Sequence, residues 1–323
     1  MRWLVRLLVL VLLVVFGPPL AARLLGYDRD ESMLPPRGRE VRIGEDLALN
    51  LLDTGTGPPV VLIHGLPSSA YDWAGLPMKL AALGHRVLTY DRVGYGYSSR
   101  SPDTADRYTY ASNANDLVRL LDVLGIPRVT LVGWSYGGAV AETFAQTWPD
   151  RVTHLVLVAA VGPNRPQREP NVVDKVSASP IGVPILRWVG SIPPLSRAMV
   201  AEQVAEAFSP QRAPIGWADY TRTMLSLPGT LESFVMEDQR STPATLEPEK
   251  IKAPTLIIHG RGDRVIPLEV AQDLDARIPD SRAFILDDGG HMLPVTHPDL
   301  LASEIHQHAG GSARQRVEDA PRR

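Results

Sequence analysis

The chain has 323 residues, of which 44% are hydrophobic and 21% charged, so it is long enough to form a sizeable globular core. Its net charge of −3 gives no indication of a nucleic-acid partner. It contains no cysteine, which excludes disulfides, thiolate nucleophiles and cysteine-based metal sites.

The N-terminal segment, residues 1–26, is strongly apolar. Two arginines precede an uninterrupted apolar block from Leu7 to Phe16, and no further charge occurs before Arg23. This pattern predicts either a membrane anchor over residues 4–25 or a secretory signal, although a clean A-x-A cleavage site is missing. Because the arginines precede the block, we expect the main domain outside the cytoplasm, anchored to the membrane, or secreted or periplasmic if the segment is cleaved.

After a polar linker over residues 27–40, strands and helices alternate through residues 41–162 and again through 249–310. We predict strands in a hairpin over 41–55 and over 59–65, 85–91, 128–135, 152–160, 253–260 and 282–288, and helices over 73–83, 113–124, 136–149, 268–277 and 297–308. This alternation predicts an α/β fold with a mostly parallel, doubly wound sheet. Ligands of such sheets bind beyond the carboxyl ends of the strands, so functional residues should follow strands.

The pattern changes over residues 163–248, which are rich in proline and contain no clean apolar strand. Helices are expected over 196–208 and 217–225, so this segment is predicted to be an inserted helical cap. The polar residues 311–323 predict a disordered tail. Some large apolar residues of the cap are candidates for lining a pocket, but such residues more often belong to a core: Trp188, Met199, Phe208, Trp217 and Met224.

The stretch Gly133-Trp134-Ser135-Tyr136-Gly137 fits the pattern G-x-S-x-G between a predicted strand and a predicted helix. In this context the serine stands on a tight turn where its hydroxyl is exposed to a substrate. A helix-capping serine in a glycine-rich turn is the alternative. The strand–helix context favours Ser135 as a nucleophile.

A serine hydroxyl is a weak nucleophile and needs a general base. His291 is the favoured base because it follows the last predicted strand on a glycine-rich loop, "LDDGGHMLP". His259 ends another strand and is a possible pocket residue. The remaining histidines are expected to be structural (His85, His154) or solvated near the C-terminal helix (His297, His306, His308).

The base needs a carboxylate that orients it, and Asp263 in "HGRGDRVIP" directly follows a predicted strand. An Asx turn is the alternative role for this aspartate. Asp287 and Asp288 are weaker candidates because they are too close to His291 in sequence to come from a separate strand end.

A tetrahedral oxyanion needs backbone N–H donors. We expect one from Tyr136, which follows the proposed nucleophile, and one from Leu66, in the loop that begins with His64 and Gly65. Gly65 would permit the turn that aims the Leu66 amide.

Five motifs, in this order and spacing, resemble the α/β-hydrolase fold superfamily over residues 41–310: "HGLPSSAYDW", "YDRVGYGYSS", "GWSYGG", "GRGDRVIP" and "GGHMLP". The order Ser135, Asp263, His291 is also the order of that superfamily. The resemblance implies that Asp91 and Arg92 are packing and turn residues. Relatives that open epoxides or remove halides carry Asp at the nucleophile position, so Ser135 argues against those two reactions. The apolar N-terminal segment is a departure from many members.

The expected function is that of a serine hydrolase, resembling the carboxylesterases, that cleaves an ester-type bond of a small, largely apolar substrate without a metal or cofactor. Hydrolysis of a C–C bond, a thioester or a lactone, or perhydrolysis, would use the same triad. A non-catalytic ligand-binding protein on the same fold is the alternative from another class. The expected partners are a small-molecule substrate and, if the N-terminal segment is retained, the membrane, whereas the oligomeric state stays open.

Overall fold

The computed structural model describes residues 31–101, 104, 106–166, 175–176, 179 and 181–310, together with isolated positions among the first 20. The predicted anchor or signal segment lies largely outside the described residues, and the predicted disordered tail lies wholly outside them. Among the residues described, no helix has both the length and the apolar character needed to cross a bilayer.

A single sheet of eight strands forms the centre of the molecule, in the order β1-β2-β4-β3-β5-β6-β7-β8. The first two strands form the predicted antiparallel hairpin, β2 pairs antiparallel with β4, and every other pairing is parallel. The strands are β1 Arg39–Arg42, β2 Ala48–Thr54, β3 Pro59–Ile63, β4 Arg86–Tyr90, β5 Val129–Trp134, β6 Val152–Val158, β7 Thr255–Gly260 and β8 Ser281–Leu286. The prediction of a mostly parallel α/β sheet is confirmed.

Helices connect the strands. They are α1 Leu76–Ala82, α2 Tyr110–Val123, α3 Tyr136–Thr147, α4 Gly182–Gly190, α5 Pro193–Phe208, α6 Trp217–Leu225, α7 Thr230–Arg240, α8 Leu268–Arg277, α9 Leu293–Thr296 and α10 Pro298–His308.

The central strands, β3 to β7, are largely buried on both faces of the sheet, which explains why most of them read as continuous apolar runs. In β3, Val61 and Ile63 belong to one core cluster, whereas Val60 and Leu62 belong to a second. The first cluster contains apolar residues of α2, α3 and α8, and the second contains those of α1 and α10. The sheet is therefore covered by helices on both sides, and its strand ends are left for the site.

Several element boundaries differ from the prediction, and at three of them a single residue gives the reason. The predicted helix over 73–83 is a 3₁₀ turn followed by α1, because Ala74 between them has a φ of 48°. The predicted strand over 152–160 ends at Val158, since Ala159 has a φ of 44°. Helix α2 starts three residues early because the side chain of Thr109 caps its N-terminus by accepting from the Ser112 N–H at 3.0 Å.

The segment between β6 and β7 holds helices α4 to α7 and, among its described residues, no strand. Helix α6 has the predicted bounds, whereas α5 begins three residues early because prolines fit the first helical turn. We refer to residues 163–248 as the cap, a boundary that stays a prediction.

The expectation that His297, His306 and His308 are solvated is wrong. The His297 side chain is only 17% exposed, and its Nδ1 lies 2.8 Å from the Thr296 Oγ1. The His306 Nδ1 lies 2.9 Å from the Nε2 of the buried His85, and the His308 Nε2 lies 3.0 Å from the Pro254 carbonyl oxygen. The His308 ring also packs edge-on against His154, with ring centroids 5.3 Å apart. Helix α10 therefore docks on the sheet partly through histidine pairs.

Candidate active site

Ser135 lies at the junction of β5 and α3 with a backbone φ of 56° and ψ of −120°. A serine adopts this conformation only where the surrounding structure imposes it. The flanking glycines permit the close packing: a Cβ at Gly137 would clash with the Ile63 carbonyl oxygen, and one at Gly133 with the Gly137 carbonyl oxygen. The hydroxyl is thus presented beyond the carboxyl end of a central strand, although Ser135 is only 6% exposed.

His291 lies on the loop after β8, and its Nε2 is 3.0 Å from the Ser135 Oγ. Its backbone carbonyl accepts a hydrogen bond of 3.0 Å from the Trp134 indole Nε1, and the two rings are 5.7 Å apart. The indole therefore ties the histidine loop to the residue before the serine. Sequence reasoning missed this contact, because nothing in the local pattern around Trp134 signals a partner 157 residues away.

Asp263 lies on the turn after β7, and its Oδ2 is 2.8 Å from the His291 Nδ1. The other oxygen, Oδ1, accepts from the backbone N–H groups of Val265 at 2.8 Å and Ile266 at 2.9 Å. Burial alone would raise the pKa of Asp263, but the facing His291 and the other donors lower it below the usual value. The carboxylate is therefore ionised at neutral pH, with one oxygen directed at the imidazole.

His259 is a partner of this carboxylate and not a pocket residue. It is fully buried, and its Nε2 lies 3.0 Å from the Ile266 carbonyl oxygen and 3.6 Å from the Asp263 Oδ2. Because Nε2 faces a carbonyl, it carries the ring proton. Burial lowers the pKa of His259, so the ring is neutral and contributes a dipole behind the aspartate.

The loop of Gly65 and Leu66 packs directly against the serine. A Cβ at Gly65 would lie 3.1 Å from the Ser135 Cβ. On the other side, Tyr136 is the first residue of α3, so its N–H has no carbonyl partner within the helix. The two amides predicted to bind an oxyanion therefore belong to the two segments that flank Ser135.

Arg92 lies behind this loop and is only 1% exposed. Its guanidinium donates to the carbonyl oxygens of His64 at 3.2 Å and Gly65 at 2.8 Å, and it forms an ion pair with Glu237 of α7. The resemblance implied only a packing role for this arginine. Its pairing with a cap residue was not predicted, because no local pattern links Arg92 to Glu237, 145 residues away.

Asp91 is enclosed by donors from the neighbouring loops. It accepts from the backbone N–H groups of Ala70 at 2.8 Å and Tyr97 at 2.9 Å, and from the Asn50 side-chain amide at 2.9 Å. Burial raises the pKa of Asp91 to about 6. These contacts hold the neighbouring loops together, as expected of a packing residue.

Within the described part of the chain, no group of three or more His, Asp or Glu side chains is arranged to hold a metal ion. The groups that the triad and its flanking segments supply are a hydroxyl, an imidazole, a carboxylate and backbone amides.

The α/β-hydrolase fold family model matches residues 58–180 and 187–298. A 2-hydroxy-6-oxo-2,4-heptadienoate hydrolase from Pseudomonas putida is 32% identical over 262 residues, which cover 80% of this chain and 91% of that protein. A 2-hydroxymuconate semialdehyde hydrolase from a Pseudomonas species is 30% identical over 273 residues, covering 84% of this chain and 93% of that protein.

Among solved structures, an esterase from Exiguobacterium antarcticum superposes with a TM-score of 0.71 at 23% identity, covering 85% of this chain and all of the esterase. A bromoperoxidase from Bacillus anthracis has a TM-score of 0.70 at 27% identity, covering 84% of this chain and 99% of that one. The esterase likeness shows the fold alone. The family match and the relatives at least 30% identical show more: this chain belongs to the α/β-hydrolase fold family.

Proposed function

We propose that the protein is a serine hydrolase that cleaves an ester-type bond through Ser135, His291 and Asp263. The observation that carries the proposal is the unbroken chain of contacts, 3.0 Å from the Ser135 Oγ to the His291 Nε2 and 2.8 Å from the His291 Nδ1 to the Asp263 Oδ2. These are hydrogen-bond distances suited to proton transfer.

In the proposed reaction the Ser135 Oγ attacks the substrate carbonyl carbon while the His291 Nε2 takes its proton. The negative charge that develops on the carbonyl oxygen is bound by the N–H groups of Leu66 and Tyr136, each contributing about 3–4 kcal/mol. Collapse of this intermediate expels the alcohol, which receives the proton from His291. Water then attacks the acyl carbon while His291 takes its proton, and the imidazolium returns that proton to the Ser135 Oγ as the acyl–oxygen bond breaks and the carboxylic acid leaves. Asp263 stabilises the imidazolium in both halves of the reaction.

A small, largely apolar substrate suits the surroundings of the serine. Ser135 and His291 are only 6% and 5% exposed, so the site is a covered one. Trp134, Met292 and the cap residue Phe208 belong to the same buried apolar cluster. A substrate that enters this region leaves water, which favours apolar groups.

A fluorophosphonate probe tests whether Ser135 is a nucleophile. We expect stoichiometric labelling of the wild type at Ser135, no labelling of Ser135→Ala, and full labelling of Ser303→Ala, which alters an exposed serine of α10. A folded wild-type protein that is not labelled would indicate a non-catalytic ligand-binding protein and would overturn the proposal.

Hydrolysis of a C–C bond is the second candidate, since two relatives over most of the chain carry the names of enzymes for 2-hydroxy-6-oxo-dienoate and semialdehyde substrates. A panel of 4-nitrophenyl esters, acyl thioesters, lactones and β-diketones separates the candidates. The panel should also include a perhydrolysis assay, because of the likeness to a bromoperoxidase. Turnover of a diketone with inert esters would refute ester cleavage in favour of C–C hydrolysis.

We also propose that residues 4–25 either anchor the protein in a membrane, with the catalytic domain outside the cytoplasm, or are removed as a signal. The support is the apolar block Leu7–Phe16 preceded by two arginines. Mass analysis of the mature protein distinguishes the two: an intact chain in the membrane fraction indicates an anchor, and loss of the first residues indicates a signal. An intact chain found free of membranes would contradict both.

A further inference from the structure

We propose that Arg92 is a positioning residue for the oxyanion-binding amide of Leu66, and that the cap holds Arg92 in place through Glu237. The inference rests on the proposed function and extends it to a residue that does not touch the substrate. It is carried by the contacts of one buried guanidinium, which meets the loop of Leu66, the first turn of α3 and the cap.

Arg92 controls the direction of the Leu66 N–H through a shared peptide group. The Gly65 carbonyl and the Leu66 N–H belong to the same planar peptide and point in opposite directions. The Arg92 Nη2 donates to that carbonyl oxygen at 2.8 Å, and Nε donates to the preceding carbonyl, of His64, at 3.2 Å. Because both carbonyls are held from one side, the N–H is fixed on the other.

A second donor, the His64 ring, acts on the Gly65 carbonyl oxygen. The Arg92 backbone N–H donates to the His64 Nε2 at 2.9 Å, so the ring proton of His64 must be on Nδ1. That Nδ1 lies 2.9 Å from the Gly65 carbonyl oxygen and therefore donates to it. Two donors, one of them charged, polarise the peptide and make its N–H a stronger donor to an oxyanion.

The orientation of the guanidinium is set by groups around it. The ring centroids of Tyr95 and Tyr136 lie 4.8 Å and 4.5 Å from its central carbon. Its Nη1 donates to the Asn113 Oδ1 at 3.1 Å and to the Glu237 carboxylate, which also accepts from the Asn113 Nδ2 at 2.8 Å. The planar fork thus makes several directed contacts at once, which a lysine ammonium cannot reproduce.

Glu237 links this arrangement to the cap. Its side chain is fully buried and comes from α7, whereas the other contacts of the guanidinium described above come from the loops and helices of the α/β core. When α7 is docked, the arginine has its counter-charge and its fork faces the two carbonyls. The cap therefore completes the support of the oxyanion-binding loop, and Glu237 influences oxyanion binding without touching the substrate.

The test compares Arg92→Lys with Arg107→Lys, a matched change in another largely buried pair, in which Arg107 lies 2.9 Å from Asp116 and contacts no oxyanion amide. Rates are measured per fluorophosphonate-titrated site, on the ester or diketone that the wild type turns over. We expect Arg92→Lys to lower kcat about 10- to 100-fold with KM within about threefold, since one amide is misaligned but not removed. Arg107→Lys should keep kcat within about twofold.

The affinity for a boronic acid inhibitor distinguishes a positioning role of Arg92 from a merely structural one. The tetrahedral adduct of the inhibitor with Ser135 places an oxygen in the oxyanion position, so its affinity depends on the alignment of the oxyanion-binding amides. The affinity for n-butylboronic acid should fall in Arg92→Lys by a factor similar to the fall in kcat. Glu237→Gln, which keeps the shape and removes the charge, should lower both in the same direction by a smaller factor.

The outcomes separate the two proposals. A wild type that is neither labelled nor active refutes the proposed function and this inference with it. An active, labelled wild type whose Arg92→Lys and Glu237→Gln variants turn over within twofold per titrated site and bind the boronic acid normally refutes this inference alone. If Arg92→Lys does not fold, the Glu237→Gln result decides in the same way.

Discussion

Replacement of Asp263 by asparagine exchanges one carboxylate oxygen for an NH₂ group at the point where the side chain meets the imidazole. The Asp263 Oδ1 accepts from the Val265 and Ile266 N–H groups at 2.8 Å and 2.9 Å, so the amide oxygen of the asparagine will take this place. Its NH₂ group then lies where Oδ2 stands, 2.8 Å from the His291 Nδ1. A donor there requires Nδ1 to be an acceptor, which moves the ring proton to Nε2.

The expected loss of kcat follows from this change of tautomer. With its proton on Nε2, the imidazole presents an N–H to the Ser135 Oγ, 3.0 Å away, and is unable to accept the hydroxyl proton. The same exchange in other Ser-His-Asp enzymes lowers kcat about 10⁴-fold, or about 5.5 kcal/mol of transition-state stabilisation. We expect a loss of about 10³- to 10⁴-fold in Asp263→Asn, with little change in KM.

The assay is initial-rate hydrolysis of the preferred substrate together with the rate of fluorophosphonate labelling, which should fall in parallel. Asp287→Asn is the matched control, because Asp287 is an exposed aspartate only a few residues before His291 in sequence and pairs with Arg261. A folded Asp263→Asn protein that retains more than a tenth of wild-type kcat, or a comparable loss in Asp287→Asn, would refute the assigned role of Asp263.

Three other changes have expected results. Trp134→Phe removes the indole N–H that donates to the His291 carbonyl oxygen at 3.0 Å. We expect denaturant titration to show a free energy of unfolding lower by about 1–3 kcal/mol, and initial rates to show a severalfold lower kcat. Unchanged values would contradict this. Gly137→Ala should lower the free energy of unfolding by at least about 3 kcal/mol, because the new methyl group clashes with the Ile63 carbonyl oxygen. Gly190→Ala, which has open space around it, should change the free energy of unfolding by no more than about 1 kcal/mol. Equal melting temperatures of the two variants would contradict this. Burial and the neighbouring His306 lower the pKa of His85 in the folded state, so the unfolded chain binds more protons and the protein loses stability as the pH drops below about 6.5. Because His306→Gln removes one of these two causes, its melting temperature should fall less between pH 7 and pH 5 than that of the wild type. An equal fall in both proteins would contradict this.

Much of the fold was predictable because the signals are local. Strand β3 is a short apolar run that ends in glycine, and α6 has helical spacing between turn residues, so both were found within two residues of their bounds. Boundaries set by a single backbone dihedral were missed, as at Ala74 and Ala159, where nothing in the residue type signals a positive φ.

The grouping of Ser135, His291 and Asp263 was predictable because each follows a strand of one parallel sheet, whose carboxyl ends share an edge. The residues around them were not. Arg92 and Glu237 are individually ordinary charged residues, and only the folded chain brings them together. Buried ion pairs depend on complementary geometry between distant segments, for which a single sequence carries no periodic signal.

The backbone conformation of Ser135 lowers the stability of the fold while it presents the hydroxyl that we propose as the nucleophile. A residue with a side chain at a φ of 56° and ψ of −120° opposes folding by about 1–3 kcal/mol, a penalty that glycine would largely escape. The sequence that folds most favourably at this turn therefore lacks the hydroxyl that we propose as the nucleophile. Retaining a serine there means that the neighbouring sheet and helix must be more stable than folding alone requires, which limits how far the β5–α3 region tolerates further destabilising change.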